Sequence, residues 1–253
     1  MREAFPDWGG ERPYVMSIAE PDPKGHDTVT VATSPEQVVA LDATHRVLVV
    51  SGTISDEAGH LGGGHAVPGN LGAYWFERRD GRWFVTRRRD SILWSGFMGN
   101  VGTIKPLELG GARHAVSVEN GSCWQGFCAD FLDVAEFDAD RAQLLVDGLR
   151  VSTTSTGAAE GCAEALAGAK PGSHETTADL DAGNCFDIGG QWRFEPGAGD
   201  ARGDLVVSYS GSELVADDHE GGYVPKKIAS TLVLRYASGT YRPVSGKNPT
   251  HDF

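Results

Sequence analysis

No stretch of this sequence approaches the roughly 20 consecutive apolar residues that cross a bilayer as a helix. The opening MREAFPDWGGERPYV also lacks the apolar core of a signal peptide. Positive charge is scarce: 22 lysines and arginines stand against 35 aspartates and glutamates, a net charge of −13. So acidic a chain repels phosphate backbones and anionic membrane surfaces at long range. Neither nucleic acid nor membrane insertion is expected of it, whereas a basic protein would be attracted. Catalytic signatures are missing as well. There is no Gly-x-Ser-x-Gly elbow, no Rossmann glycine fingerprint and no kinase motif set. The glycine-rich stretch 59–65 is not followed by Gly-Lys-Ser/Thr, so it is no phosphate loop. Paired carboxylates for glycoside hydrolysis are set by fold, and spacing does not test them.

What the chain has in quantity is turn residues, 34 glycines and 12 prolines, which suit a fold of many tight reversals. Strand signals dominate. His45–Gly52 is a valine-rich run. Gly72–Arg89 reads as a hairpin, with Ala73-Tyr74-Trp75-Phe76 and Trp83-Phe84-Val85 flanking Asp80-Gly81, a pair that tolerates the positive φ angles of a type I′ turn. Further strands are expected at His114–Val118, Phe131–Phe137, Leu205–Tyr209 and Ile228–Tyr236, the last turning at Ser238-Gly239 into Thr240–Val244. Trp83, Trp192 and Tyr241 each follow by two residues a glycine, Gly81, Gly190 and Gly239, read as a turn residue, and are expected to pack inward.

Helical signals are few. Ser34-Pro35-Glu36-Gln37 has the form of a capping box with proline at the first helical position and predicts a short helix to Leu41. Ala158–Ala169 and Asp138–Asp147 are two further candidates, the first weakened by Gly161 and Gly168. The expectation is a mainly β fold, as an antiparallel sandwich, irregular barrel or small propeller with two or three short helices. Residues 1–253 read as a single β-rich domain carrying a polar insertion around 162–185.

Four cysteines, Cys123, Cys128, Cys162 and Cys185, allow three pairings. Cys123–Cys128 and Cys162–Cys185 are favoured because each pair brackets a turn-rich segment. The second would pin the polar stretch Ala169–Asn184 at a gain of about 3 kcal/mol. Paired zinc knuckles are not present, since only Cys123 and Cys128 have knuckle-like spacing. Disulfides favour an oxidising compartment, periplasmic or secreted, with the expectation of a signal peptide already removed, over a cytoplasmic start at Met1.

Several constellations carry potential chemistry. Gly121-Ser122-Cys123-Trp124 resembles four residues around the nucleophile of papain-like cysteine proteases, where a thiolate works beside a histidine. Asn120 and Ser117 depart from that family's pattern, and the only downstream histidine placed to serve is His251, so no residue role carries over. His60 and His65 lie in a glycine-rich loop near Asp56 and Glu57 and are candidate metal ligands; a solvated loop is the plainer reading. Asp217, Asp218, His219 and Glu220 form an acidic loop that suits a basic partner or a hard cation. Arg78, Arg79, Arg82 and Arg87–Arg89 form the one basic cluster, expected as a salt-bridged edge with a carboxylate site as the alternative.

These observations favour a non-catalytic extracytoplasmic binding protein, an inhibitor or immunity-type protein that blocks a secreted or injected basic toxin or enzyme by loop insertion. No cofactor is expected beyond a metal ion in the alternative reading. The candidate binding residues are Trp124, Gln125 and Phe127 with Asp217, Asp218, His219 and Glu220. The alternatives are a metal-assisted hydrolase using His60 and His65, and a carbohydrate-binding module in which the tryptophans stack on sugars.

Overall fold

A computed structural model of the chain describes residues 3–5, 9–10, 13–19, 28–62, 64–168, 180, 183–197, 201–216 and 223–253. Among them run thirteen strands and one five-residue helix: β1 (Tyr14–Ala19), β2 (Thr28–Ala40), β3 (His45–Ile54), β4 (Gly69–Arg79), β5 (Arg82–Ser95), β6 (Thr103–Glu108), β7 (His114–Trp124), β8 (Phe127–Phe137), β9 (Ala142–Thr154), α1 (Cys162–Leu166), β10 (Phe186–Phe194), β11 (Leu205–Ala216), β12 (Tyr223–Ala237) and β13 (Thr240–Ser245). They form two antiparallel sheets, ordered β1-β2-β3-β4-β5 and β13-β12-β11-β10-β9-β8-β7-β6. Neighbours in space are neighbours in sequence, so each sheet is a meander that needs no crossover helix. The mainly β, sandwich-like architecture matches the expectation.

The chain divides into two compact units. One comprises Met1–Asn120, Asp133–Gly148 and Gly199–Ala201, the other Gly121–Leu132, Leu149–Ala198 and Arg202–Phe253. In the first unit, β3 and β4 are apolar without alternation because both their faces are covered. Val47 and Val49 join Leu71, Ala73 and Trp75 in a core that includes Val116, Val118, Ala135 and Phe137 from β7 and β8. This is the interior of the sandwich. Leu48, Val50, Tyr74 and Phe76 point the other way, into a cluster with Ala4 and Phe5 that Tyr14, Trp83 and Val85 flank. The sheet curls about that second cluster until β1 approaches β5, and the Tyr74 hydroxyl reaches Met16 Sδ at 3.4 Å. Burial pushes that hydroxyl well above the usual tyrosine range, with the Asp90 carboxylate adding to the effect.

In the second unit, β11 and β12 pair without interruption from Leu205↔Leu234 to Ala216↔Tyr223. Cys162 and Cys185 are bonded with Cα atoms 5.5 Å apart. They lie in a buried cluster with Ala165, Leu166, Leu180 and Leu214. The favoured disulfide pairing is the one found; most of the polar stretch it encloses lies outside the described residues.

Two expected helices are strands. Ser34–Leu41 belongs almost wholly to β2, where Pro35 sits at a register shift and beyond the last β1 partner, Tyr14↔Thr33. Its missing N–H therefore costs no bond to β1, and β-branched Val38 and Val39 pair with Leu48 and Val47. Gln37, the glutamine of the expected capping box, donates its Nε2 to the Val38 carbonyl oxygen at 3.1 Å instead. At Asp138–Asp147, Asp138 Oδ1 accepts the N–H groups of Asp140 and Arg141, closing a turn that opens β9. Among the described residues the third candidate, Ala158–Ala169, is helical over α1, between Gly161 and Gly168. Gly190 is not a turn residue either: it lies inside β10 opposite Tyr209, where a Cβ would meet the Val151 carbonyl oxygen at 2.4 Å.

One buried carboxylate ties the strands of the first unit together. Asp133, 1% exposed, accepts hydrogen bonds from Ser95 Oγ at 2.8 Å, Asn120 Nδ2 at 3.2 Å and the Gly148 N–H at 2.5 Å. Burial raises its carboxyl above the ordinary aspartate range against the pull of those donors. A raised carboxyl stabilises the fold below its unfolded pKa, and that contribution is lost as pH rises through the folded value. The native protein should therefore lose stability relative to Asp133→Asn as pH climbs from about 4 toward neutrality. Asp133→Leu, which strands the Gly148 and Asn120 donors, should cost about 1–3 kcal/mol. Denaturant unfolding at a series of pH values checks both.

Candidate functional site

The hairpin between β7 and β8 gathers three of the residues expected to bind. Its turn is two residues long, Gln125 and Gly126, with φ of 50° and 87°. Paired positive φ angles are those of a type I′ turn, whose twist matches that of the flanking strands. Cys123 and Cys128 face each other across the strands, Cα atoms 4.0 Å apart and joined as a disulfide, in the close spacing of a non-hydrogen-bonded pair. Cys123 is thus no free thiol, and a papain-like role for it is ruled out. Trp124 and Phe127 are the residues between the disulfide and the turn.

Their fates differ. Trp124 is 58% exposed. Phe127, named with it as a candidate binding residue, is half-buried, its ring 5.4 Å from Phe253 and 6.3 Å from Phe186. The tip is braced from two sides within its own unit. Gly126 abuts the loop after β9 so closely that a Cβ there would lie 2.1 Å from the Gly157 carbonyl carbon. On the other side residues 246–253, which follow β13, are strapped down. Asn248 Nδ2 donates to the Arg150 carbonyl oxygen at 2.9 Å. Arg150 donates to the His251 carbonyl oxygen at 2.9 Å and pairs with the Asp252 carboxylate.

His251 stacks on Phe186 with ring centroids 4.2 Å apart and planes 5° from parallel, and its Nε2 lies 3.0 Å from Glu213 Oε2. Burial works to raise the Glu213 carboxyl, but Lys226 Nζ at 2.8 Å and the His251 ring hold it below the ordinary glutamate range. The histidine thus supports the aromatic packing behind Phe127. Nothing local in the sequence announces this brace, because its members, Arg150, Gly157, Phe186, Glu213 and residues 246–253, are distant in the chain from the tip.

The other expected residues do not join this site. Asp217, Asp218, His219 and Glu220 lie outside the described residues. His60 and His65 take separate partners in the first unit. The His60 Nδ1 atom is 2.9 Å from Asp56 Oδ2, and Asp56 also accepts the His60 and Ala58 N–H groups. Those bonds, the His60 ring foremost, hold the Asp56 carboxyl below its usual range. The His65 ring instead lies 5.5 Å from Phe97. Among the described residues no three metal-ligating side chains converge, and no helix is long and apolar enough to cross a membrane.

If the tip is held by backbone contact, filling the space behind Gly126 should loosen it. Gly126→Ala should lower the unfolding free energy by more than the roughly 1–2 kcal/mol of a left-handed non-glycine residue, read by denaturant unfolding. Gln125→Gly, which removes such a residue, should leave stability unchanged or raise it. A loss under about 0.5 kcal/mol for Gly126→Ala would mean the loop gives way freely. Comparison with protein-family models, with curated proteins and with solved structures found no match to the chain, so its function is read from this geometry.

Proposed function

We propose that the chain is a non-catalytic binding protein of an oxidising compartment, periplasmic or secreted, which grips a basic protein partner with the disulfide-closed tip 123–128. The observation that carries this reading is an indole more than half exposed on a turn fixed three ways: by a disulfide across the strands, by contact at Gly157 and by the aromatic packing of Phe127. Exposing a large ring to water on a rigid support has little structural use. It suits an interface anchor, where tryptophan is over-represented and a pre-ordered loop has less entropy to lose on docking.

The acidity of the chain supports the choice of partner. Within the unit that carries the tip, Asp130 and Asp187 are exposed, and a cationic surface would be drawn toward them. The two disulfides support the compartment, since such bonds persist where thiols are not kept reduced. Inhibition of a secreted or injected toxin by insertion of the tip into its cleft is the form of binding that fits a narrow, stiffened hairpin with a single large ring near its end.

The test is capture by the full chain, immobilised, from the extracytoplasmic proteins of the source organism. The native chain should retain one protein in stoichiometric amount. Trp124→Ala should bind that protein about 30-fold or more weakly, the loss of roughly 2 kcal/mol typical of a central anchor, with unchanged unfolding. Equal binding by the variant, or retention of glycans without any protein, would overturn the proposal.

A further inference from the structure

The concave face of the five-stranded sheet, in the unit that does not carry the tip, is only partly filled. Phe5 packs against Tyr14 and Tyr74, with ring centroids at 5.2 and 5.4 Å. Further along the same face a recess of about 180 Å³ stays open, lined by Val38, Arg46, Leu48, Phe76 and Trp83. The register places them together. Val38 pairs with Leu48, Arg46 with Phe76 and Arg78 with Trp83, and Phe76 and Arg78 are two apart on β4, hence on one face. Val38, at the rim, is 50% exposed.

The charge at this recess runs against that of the chain. The Arg46 guanidinium lies 4.8 Å from the centroid of the Trp83 ring, which orients it by cation–π attraction. Among the described residues no carboxylate pairs with Arg46 or Arg78. Nearby acids are engaged elsewhere: Glu77 with Arg79 at 2.6 Å, Asp42 with His45 at 2.8 Å and Glu36 with Ser51. In a protein of net charge −13, a guanidinium without a carboxylate in the wall of an apolar recess is an unbalanced feature that an anion would complete.

We infer that this recess binds a small amphipathic carboxylate, its apolar body against Leu48, Phe76 and Trp83 and its carboxylate on Arg46, with Arg78 adding to the field. The size of the body follows from the volume, since a cavity of about 150 Å³ accepts a benzene ring. One aromatic ring or a short alkyl chain therefore fills it. The fork of Arg46 matches a carboxylate bidentately, and the stacked indole keeps it from folding away. The recess stands apart from the tip reading and does not depend on it.

Phenylacetate titrated into the full-length protein, followed by amide chemical-shift changes, tests the inference. Saturable shifts should centre on residues 38, 46–48, 76–78 and 83. The neutral isostere phenylacetamide and the Arg46→Gln variant should each bind at least 10-fold more weakly, the value of a charge-assisted hydrogen bond. Arg141→Gln, which removes an exposed arginine elsewhere on the unit, should bind as the native protein does. No saturation by 10 mM phenylacetate (an order-of-magnitude ceiling for so small a ligand) would overturn the site. So would equal binding of the amide, equal loss in the Arg141 variant, or binding only of a peptide ending in phenylalanine.

Discussion

Val47 and Val49 face one core while Leu48 and Val50 face another, and β4 repeats the division with Trp75 on one side and Tyr74 and Phe76 on the other. This two-sided burial is the constraint on which the first unit rests. A strand buried on both faces must be apolar at every position, and its sheet needs a cover on each side. The sandwich partner strands supply one. Curling of the sheet, with Phe5 and Tyr14 inside the curl, supplies most of the other. Where that second cover is incomplete, the Arg46–Trp83 recess remains. A feature that looks like an accident of the surface is thus a consequence of how the sheet disposes of its apolar residues.

The second unit meets a different demand. Its hairpin tip and the chain around α1 are each closed by a disulfide. The bond at Cys162–Cys185 is wholly buried and closes a loop of 23 positions, the kind whose constraint acts chiefly on the unfolded chain. The bond at Cys123–Cys128 closes a much shorter loop and gains less in that way. Its effect is on the native state, where it fixes the strand ends that carry Trp124 and Phe127. The brace from His251, Phe186 and Phe253 then leaves one ring of the pair packed and the other presented to solvent.

Much of the fold was legible in local sequence, for reasons that are themselves local. Asp80-Gly81 and Ser238-Gly239 adopt positive φ at both positions, as their chemistry requires, and the hairpins they close follow directly. The cysteine pairing was legible because each pair brackets its own turn. The helix at Ser34–Leu41 was misread because a capping box is a signal of four consecutive residues, whereas this part of β2 is decided by its partners on β3, from Ala40↔Arg46 to Ser34↔Ser51. Asp138 was misread for a similar reason: an aspartate that accepts two N–H groups opens a turn as readily as a helix. At the site, the sequence pointed to Trp124, Gln125 and Phe127 but not to the packing that distinguishes the two rings. That distinction depends on residues from β10 and from 246–253, which no local pattern connects to the tip.

The central claim is that the tip, and not another surface, meets the partner. Amide hydrogen exchange of the full chain with and without a stoichiometrically bound protein partner tests it most directly. The account predicts added protection centred on residues 121–128 and on the bracing loop at 155–158, with the exchange of β2–β5 unchanged. Protection confined to any other surface, with the tip exchanging as in the free protein, would contradict it.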